Sequence, residues 1–375
     1  MKKIKFYETS KLNKKYENNF IKNIKKINQS GRYILGQNVN IFEKKLADYC
    51  KSKYCVAVGN CVDAMKITFM AYKINGDLKD GDEVLVPANT YIASILGITS
   101  VNLKPVFVEP DPETFNICTK KIQTKINKKT KAILAVDLYG RPADLFALKK
   151  IAKKKKIKLI EDAAQSLGAK LKTSMVGSIS DATCFSFFPG KNLGALGDAG
   201  AITTNDKKLF NIIKSLRNYG EDVFDDLKDR KYRNTYKGVN SRMDEIQAAV
   251  LIDKLRDFNK LQNKRKQIAK FYLRNIKNNK VLLPKVDKSF EHGWHLFVIR
   301  CKSRNRLRSY LKKRNIETMI HYPIPPHKQK AFQELNKKNF RITEKITKEI
   351  LSLPIFPTLR KSQYRYIANT LNNFK

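Results

Sequence analysis

Short apolar runs alternate with helix-period segments along most of the chain. Residues 54–58, 83–87, 105–109, 131–140, 156–162, 184–188 and 201–204 each have the length and composition of a buried strand. Between them, 39–49 carries apolar residues at helical intervals, and Met65, Phe69 and Tyr72 recur at i, i+4, i+7. Further helices are expected at 145–153 and up to Leu216. Strands alternating with helices predict an α/β fold with a mostly parallel sheet, whose ligands gather at the carboxyl ends of the strands. A polar helix is expected ahead of this region, over 11–28. Beyond it, Ala248, Leu251, Ile252, Leu255 and Phe258 mark one face of a long helix. A strand at 294–300, a basic helix at 304–314 and a strand running from Glu317 into a proline-rigid loop at His327 complete the pattern. The stretch 217–236 is weakly patterned and reads as an exposed excursion. A chain of 375 residues accommodates two domains. The pattern divides it into a large domain over 1–255 and a smaller C-terminal α+β domain over 256–375.

Charge raises a different possibility. The formal balance is +42, with 76 Lys plus Arg against 34 Asp plus Glu, and dense lysine attracts phosphates without any special fold. The runs at 128–131 and 153–156, however, fall at helix ends and loops, without interleaved aromatics or a nucleic-acid motif. A lysine-rich solvated surface is therefore expected, with neither nucleic acid nor membrane as partner. The general positive field would still help to draw in a doubly charged nucleotide. Six cysteines and four histidines show no metal-ligand spacing and no secreted disulfide framework. The N-terminus lacks a signal-peptide core, and no stretch has transmembrane length. A soluble, reduced, cytoplasmic protein without a metal is expected.

Candidate chemistry centres on Lys191. It follows the apolar run ending at Phe188 and is flanked by Gly190, Gly194, Gly197 and Gly200, which permit tight turns and close approach of a flat ligand. An amine in apolar surroundings has a lowered pKa and becomes a nucleophile toward aldehydes. Pyridoxal phosphate is the matching cofactor, and it needs a carboxylate for its ring nitrogen and an anion site for its phosphate. Asp162, at the carboxyl end of a strand, is placed for the first, although a strand-end Asp also serves as a helix cap. The turn at 59–63, between a strand and a helix start, offers free amides at the positive end of a helix dipole. Asp63 there reads equally as an N-terminal cap. Tyr91, just past a strand end, could stack on a flat ring.

Several motifs in this order are specific together: Gly31-Arg-Tyr-Ile-Leu-Gly36, Asn60-Cys-Val-Asp-Ala-Met65, Pro87-Ala-Asn-Thr-Tyr-Ile-Ala-Ser94, Glu161-Asp-Ala-Ala-Gln-Ser166, Phe185-Ser-Phe-Phe-Pro-Gly-Lys191, Asn240-Ser-Arg-Met-Asp-Glu-Ile-Gln-Ala248 and His321-Tyr-Pro-Ile-Pro-Pro-His327. Over nearly its whole length the chain resembles the DegT/DnrJ/EryC1/StrS family of nucleotide-sugar aminotransferases. That resemblance implies an aspartate-aminotransferase-like fold (fold type I) and a homodimer with shared active sites. Lys191 matches the residue that bonds the cofactor aldehyde, Asp162 the partner of the pyridine nitrogen, Gln165 the residue near the ring hydroxyl and Tyr91 the aromatic over the ring. Ser186 matches a phosphate ligand, Cys61, Val62 and Asp63 the amide cradle, and Asn240 a phosphate ligand reaching across from the other subunit. His321, Tyr322 and His327 are candidates for substrate contact, although lone histidines are often structural.

Where relatives usually read Asn-Gly-Thr-Asp-Ala, this chain reads Asn60-Cys-Val-Asp-Ala64. Val62 thus replaces a hydroxyl ligand, a loss of about 1 kcal/mol, and weaker cofactor retention is expected. The implied activity is transfer of an amino group, by resemblance from L-glutamate, to a nucleotide-linked keto-sugar. The motifs look like members acting at C-3 of dTDP- or UDP-3-keto sugars. A C-4 aminotransferase and a non-catalytic regulatory protein of the same fold are the alternatives. Some relatives carry histidine in place of the lysine and act as dehydratases; Lys191 argues against that activity.

Overall fold

The computed structural model describes residues 3–222, 232–335 and 339–375. Its centre is a seven-stranded sheet built from β1 (Tyr54–Val58), β2 (Glu83–Pro87), β3 (Lys104–Val108), β4 (Thr130–Val136), β5 (Lys158–Asp162), β6 (Ala182–Ser186) and β7 (Gly200–Thr204), in the order β1-β7-β6-β5-β4-β2-β3. The run β6-β5-β4-β2-β3 is parallel, and β7 is antiparallel to both its neighbours. Sheets of this kind are covered on both faces, which is why the strands read as continuous apolar runs. On one face Val86, Leu134, Ile160 and Cys184 pack against α3 (Cys61–Ile74), α4 (Ile92–Thr99) and α6 (Lys207–Leu216). On the other, α2 (Gln37–Cys50) and α7 (Glu245–Arg256) cover Ala57, Phe185 and Ala201, while α5 (Leu145–Lys155) covers Ile133 and Leu159.

The C-terminal part has its own core. A two-stranded antiparallel ladder, β8 (Phe297–Arg300) with β9 (Ile350–Leu353), packs with α8 (Phe258–Asn275), α9 (Arg304–Lys313) and α11 (Lys361–Asn372); α10 (Arg341–Glu349) leads into β9. Ile4 is buried in this same core and bridges to Ile316. The segment around Ile4 and Tyr7 therefore packs with the C-terminal part of the chain.

Four expectations need correction. The polar N-terminal helix is broken by a 3-10 turn at Lys14–Tyr16, and its main part, α1, runs Glu17–Ser30. The long helix is two helices, α7 and α8, which meet at Asp257 in a non-helical conformation. No strand forms at 317–327, where Pro323, Pro325 and Pro326 cannot donate to a ladder; a single bridge joins Met319 to Ser352. In the expected excursion, residues 223–231 lie outside the described residues, and Arg217 is buried. Its guanidinium pairs with Glu43 and donates to the Ala57 carbonyl at 2.8 Å.

Candidate active site

The carboxyl ends of β5 and β6 open into a cavity of about 750 Å³. Lys191 reaches it from a tightly folded loop. The Phe187 amide donates to Ala199 O, Ala195 N to Phe187 O and Lys191 N to Phe188 O, each at 2.8 Å. A Cβ at Gly194 would lie 2.3 Å from Pro189 O, so only glycine closes this turn. The side chain of the next residue, Asn192, donates to Gly293 O at 2.6 Å and to Gln262 Oε1 at 3.1 Å, which anchors the loop to the C-terminal segment. Lys191 is the one Lys or Arg among the described residues that line the cavity. Burial lowers its pKa, and the nearby Asp162 carboxylate partly opposes that fall.

Asp162 faces it, buried at the end of β5. Its Oδ2 accepts from Ser94 Oγ at 2.7 Å and its Oδ1 from Ala164 N at 3.1 Å. Burial raises its pKa, and these two donors favour the anion. Gln165 accepts from Tyr139 N at 2.6 Å and donates to Tyr322 OH at 3.1 Å. The Tyr322 ring stacks on Tyr91 with centroids 4.7 Å apart.

The anion end is the start of α3. Asn60 is the N-cap, its side chain accepting from Asp63 N at 2.9 Å, while Ala64 N bonds Asn60 O. The Asp63 amide is thus occupied, so the cradle narrows to Cys61 and Val62, whose amides have no partner within the helix. Asp63 is not the cap; its carboxylate accepts from Asn60 Nδ2 at 3.0 Å and Ser241 Oγ at 2.7 Å and braces the turn. Gly200 lets β7 run beside this turn, since a Cβ there would meet Asn60 C at 2.5 Å. Ser186 lines the same end.

Ten of the twelve residues singled out from sequence line one cavity: Lys191, Asp162, Gln165, Ser186, Tyr91, Cys61, Val62, Asp63, His321 and Tyr322. Two do not. His327 is fully buried, packed edge-on against Phe107 and Phe340, with Nε2 3.2 Å from Glu344 Oε1. It does not line the cavity, and the substrate contact expected of it gives way to a packing role. Asn240 is exposed and bridges to Asn218 outside its own chain's cavity. Sequence reasoning missed Ser94 and Ser241, which hold the two carboxylates, and His295, Tyr7 and Phe188, which line the wall. Ser94 ends a motif already noted, three residues past Tyr91 on a helix start; that spacing was the available signal. Burial and the Lys191 charge hold His295 well below its usual pKa and His321 at about 4, so both are neutral rings near pH 7.

An aldehyde-reactive amine, a buried carboxylate and a pair of free amides at a helix start, converging on one cavity, fit pyridoxal phosphate. Comparison with known proteins points the same way. A dTDP-3-amino-3,6-dideoxy-alpha-D-galactopyranose transaminase of Aneurinibacillus thermoaerophilus is 47% identical over 371 residues, covering 99% of both chains. The structure of DesV from S. venezuelae in complex with a ketimine intermediate superposes with a TM-score of 0.94 at 34% identity, over 99% of this chain and 98% of that one. NtdA from Bacillus subtilis, with bound cofactor PMP, gives a TM-score of 0.91 at 28% identity, over 99% of this chain and 85% of that one. The fold is the aspartate-aminotransferase-like fold type I expected from the motifs. With residues 14–372 also matching the family model, the chain belongs to the DegT/DnrJ/EryC1/StrS aminotransferase family.

Proposed function

We propose that this chain is a pyridoxal-phosphate-dependent aminotransferase that moves the amino group of L-glutamate to C-3 of a dTDP- or UDP-linked 3-keto sugar. The observation that carries the reading is Lys191, the one Lys or Arg among the described residues that line the cavity, set with Asp162 and with the amides of Cys61 and Val62, which have no partner within their helix. When bound, the cofactor supplies an aldehyde for condensation with amines and a conjugated ring that takes up the electrons of a broken C–H bond. Asp162, whose ionised form is favoured by Ser94 and Ala164 N, would pair with the ring nitrogen and hold a proton on it. The amides of Cys61 and Val62 and the Ser186 hydroxyl bind the phosphate. Tyr91 would cover the ring, and Gln165, fixed by Tyr139 N, would meet the ring hydroxyl. Lys191 is the residue that would hold the cofactor's aldehyde carbon, and its Nζ would move a proton at the donor α-carbon; burial lowers its pKa, which increases the share of neutral amine able to act as a base. His321 and Tyr322 bind substrate, and C-3 is favoured by the likeness to a 3-amino sugar transaminase.

The same reading includes a homodimer, in which the exposed Asn240 reaches the phosphate of the partner's cavity. It takes 1–255 as the cofactor-binding domain and 256–375 as the small domain, dividing them just ahead of the kink at Asp257, with the segment around Ile4 packed back on the small domain. It also places the enzyme in the cytoplasm, where glutamate and nucleotide-activated sugars are made. The test is incubation of the purified protein with glutamate and a panel of nucleotide keto-sugars, followed by mass spectrometry of the products. A 3-amino sugar nucleotide is expected; amination at C-4, or no turnover of any keto-sugar, would overturn the assignment.

A further inference from the structure

Behind the strand ends lies a second pair of carboxyl groups used by none of the chemistry above, although one of them, Asp137, borders the cavity. The β4–β5 register sets Ala135 beside Glu161 and Val136 beside Asp162. Side chains alternate across a sheet, so Glu161 and Asp137 share the face opposite to that of Asp162. Both are completely buried. Asp137 Oδ1 accepts from Ala143 N at 2.8 Å and Oδ2 from Ser166 Oγ at 2.7 Å. Glu161 Oε2 accepts from Thr183 Oγ1 at 2.7 Å and Ser180 Oγ at 3.1 Å, whereas Oε1 has no donor among the described residues. The Glu161 charge acts on the Asp137 carboxyl and, with burial, raises its pKa. The nearby titratable groups that feel the Glu161 charge are the buried thiols Cys50 and Cys184. Two anions in that position would repel each other and leave Oε1 unsatisfied at a cost buried groups rarely bear.

We propose that Asp137 is a protonated carboxylic acid at neutral pH that donates to Glu161, and that this one-proton pair is a positioning device for Asp162 and Gln165. Burial and the adjoining Glu161 charge both favour the acid form of Asp137. The link to the cofactor side is direct. The Asp137 amide donates to Asp162 O at 3.1 Å, and its carboxyl grips Ser166, the residue after Gln165. An acid thus fixes both strand ends from behind without adding a second negative charge under the ring nitrogen. The inference rests on the proposed roles of Asp162 and Gln165.

The experiment is infrared spectroscopy at pH 7 on cofactor-free wild type, Asp137→Asn and Glu161→Gln, with pyridoxal phosphate titrations on these and on Asp137→Ala. The expected spectrum has the carbonyl stretch of a hydrogen-bonded carboxylic acid in wild type and lacks it in both amide variants. Asp137→Asn keeps an acceptor for Ala143 N, and its amide NH2 can donate both to Glu161 and to Ser166 Oγ, whose hydroxyl then accepts instead of donating, so its cofactor affinity stays within about threefold of wild type, whereas Asp137→Ala loses roughly tenfold. Absence of the band in wild type, or its survival in both amide variants, overturns the shared proton. Unchanged affinity in Asp137→Ala overturns the positioning role. If Asp137→Ala does not fold, a loss in Asp137→Asn as large as that expected for alanine overturns it instead. A wild type that binds no pyridoxal phosphate would refute the proposed cofactor while leaving the infrared result standing.

Discussion

Ser94 and Asp162, 68 residues apart in the chain, are joined by a 2.7 Å hydrogen bond, and the Ser94 hydroxyl is itself 2.7 Å from Thr90 Oγ1. The bond sits where Asp162 has already lost most of its water. Burial pushes this carboxyl toward its neutral form, and the Ser94 hydrogen bond is the strongest influence against that push.

Ser94→Ala should therefore raise the Asp162 pKa further and weaken its hold on a protonated ring nitrogen. A hydrogen bond to a buried charge contributes roughly 2 kcal/mol, so kcat/KM should fall about thirtyfold. Because the active form needs the carboxylate ionised, the acid limb of the kcat/KM profile should move to higher pH. A profile unchanged in both height and position would show that Ser94 does not act on Asp162.

The two histidines of the His321-Tyr-Pro-Ile-Pro-Pro-His327 motif should separate cleanly. His321 lines the cavity, its Nδ1 2.8 Å from Ser352 Oγ, and it is neutral near pH 7. His321→Ala is expected to lower kcat/KM about tenfold through loss of one substrate contact, with little change in Tm. His327→Ala removes a ring packed between Phe107 and Phe340. It should cost about 2 kcal/mol of stability and leave KM unchanged. Kinetics and thermal melts on both variants distinguish the roles; a raised KM in His327→Ala would restore it as a substrate residue.

Most of the large sheet was legible because burial on both faces leaves an unmistakable run of apolar residues, as in 83–87 and 54–58. The lysine loop and the Asp162 strand end were legible for a related reason: glycines and strand-terminal carboxylates are punctuation that a single sequence displays. What failed were features set by distant partners. Arg217 reads as surface until Glu43 and the Ala57 carbonyl are brought to it across the fold. Ile4 gives no hint that its partners lie at the far end of the chain. His327 sits in a motif whose first histidine lines the cavity, and sequence spacing does not reveal that the prolines between them turn the second one away. The break at Asp257 was hidden because the apolar spacing runs through from Leu255 to Phe258.

In the turn proposed to hold the phosphate, Val62 stands where the family resemblance leads one to expect a hydroxyl residue. In the first turn of α3 its amide has no partner within the helix, but its side chain has no hydroxyl to offer a phosphate. Val62→Thr has the same branched shape and adds a hydroxyl, so it should tighten pyridoxal phosphate by about fivefold, equivalent to about 1 kcal/mol. Fluorescence titration of cofactor-free protein measures this directly. Weaker binding in the variant would mean that the turn is closed to a hydroxyl, with Cys61 the neighbouring bulk to examine next.

Lys254 supports the same loop from outside the cavity. It is 3% exposed and donates to Gly194 O at 2.6 Å, and burial lowers its pKa to about 8. An unfolded lysine titrates near 10.4. Between about pH 8 and 10.4 the unfolded chain therefore holds a proton that the folded chain has released, and the stability of the fold rises with pH across that window. Below about 8 both states are charged and the penalty is constant; above 10.4 both are neutral and it vanishes. Relative to Lys254→Met, which cannot titrate, wild type should gain roughly 3 kcal/mol from the lower to the upper end of this window. Loss of the bond to Gly194 adds a separate offset that pH does not change. Denaturant unfolding of the two proteins at several pH values gives the difference directly, and groups common to both cancel. A flat difference across the window would mean that Lys254 stays charged in the folded protein, held to the Gly194 carbonyl as an ammonium at every pH tested.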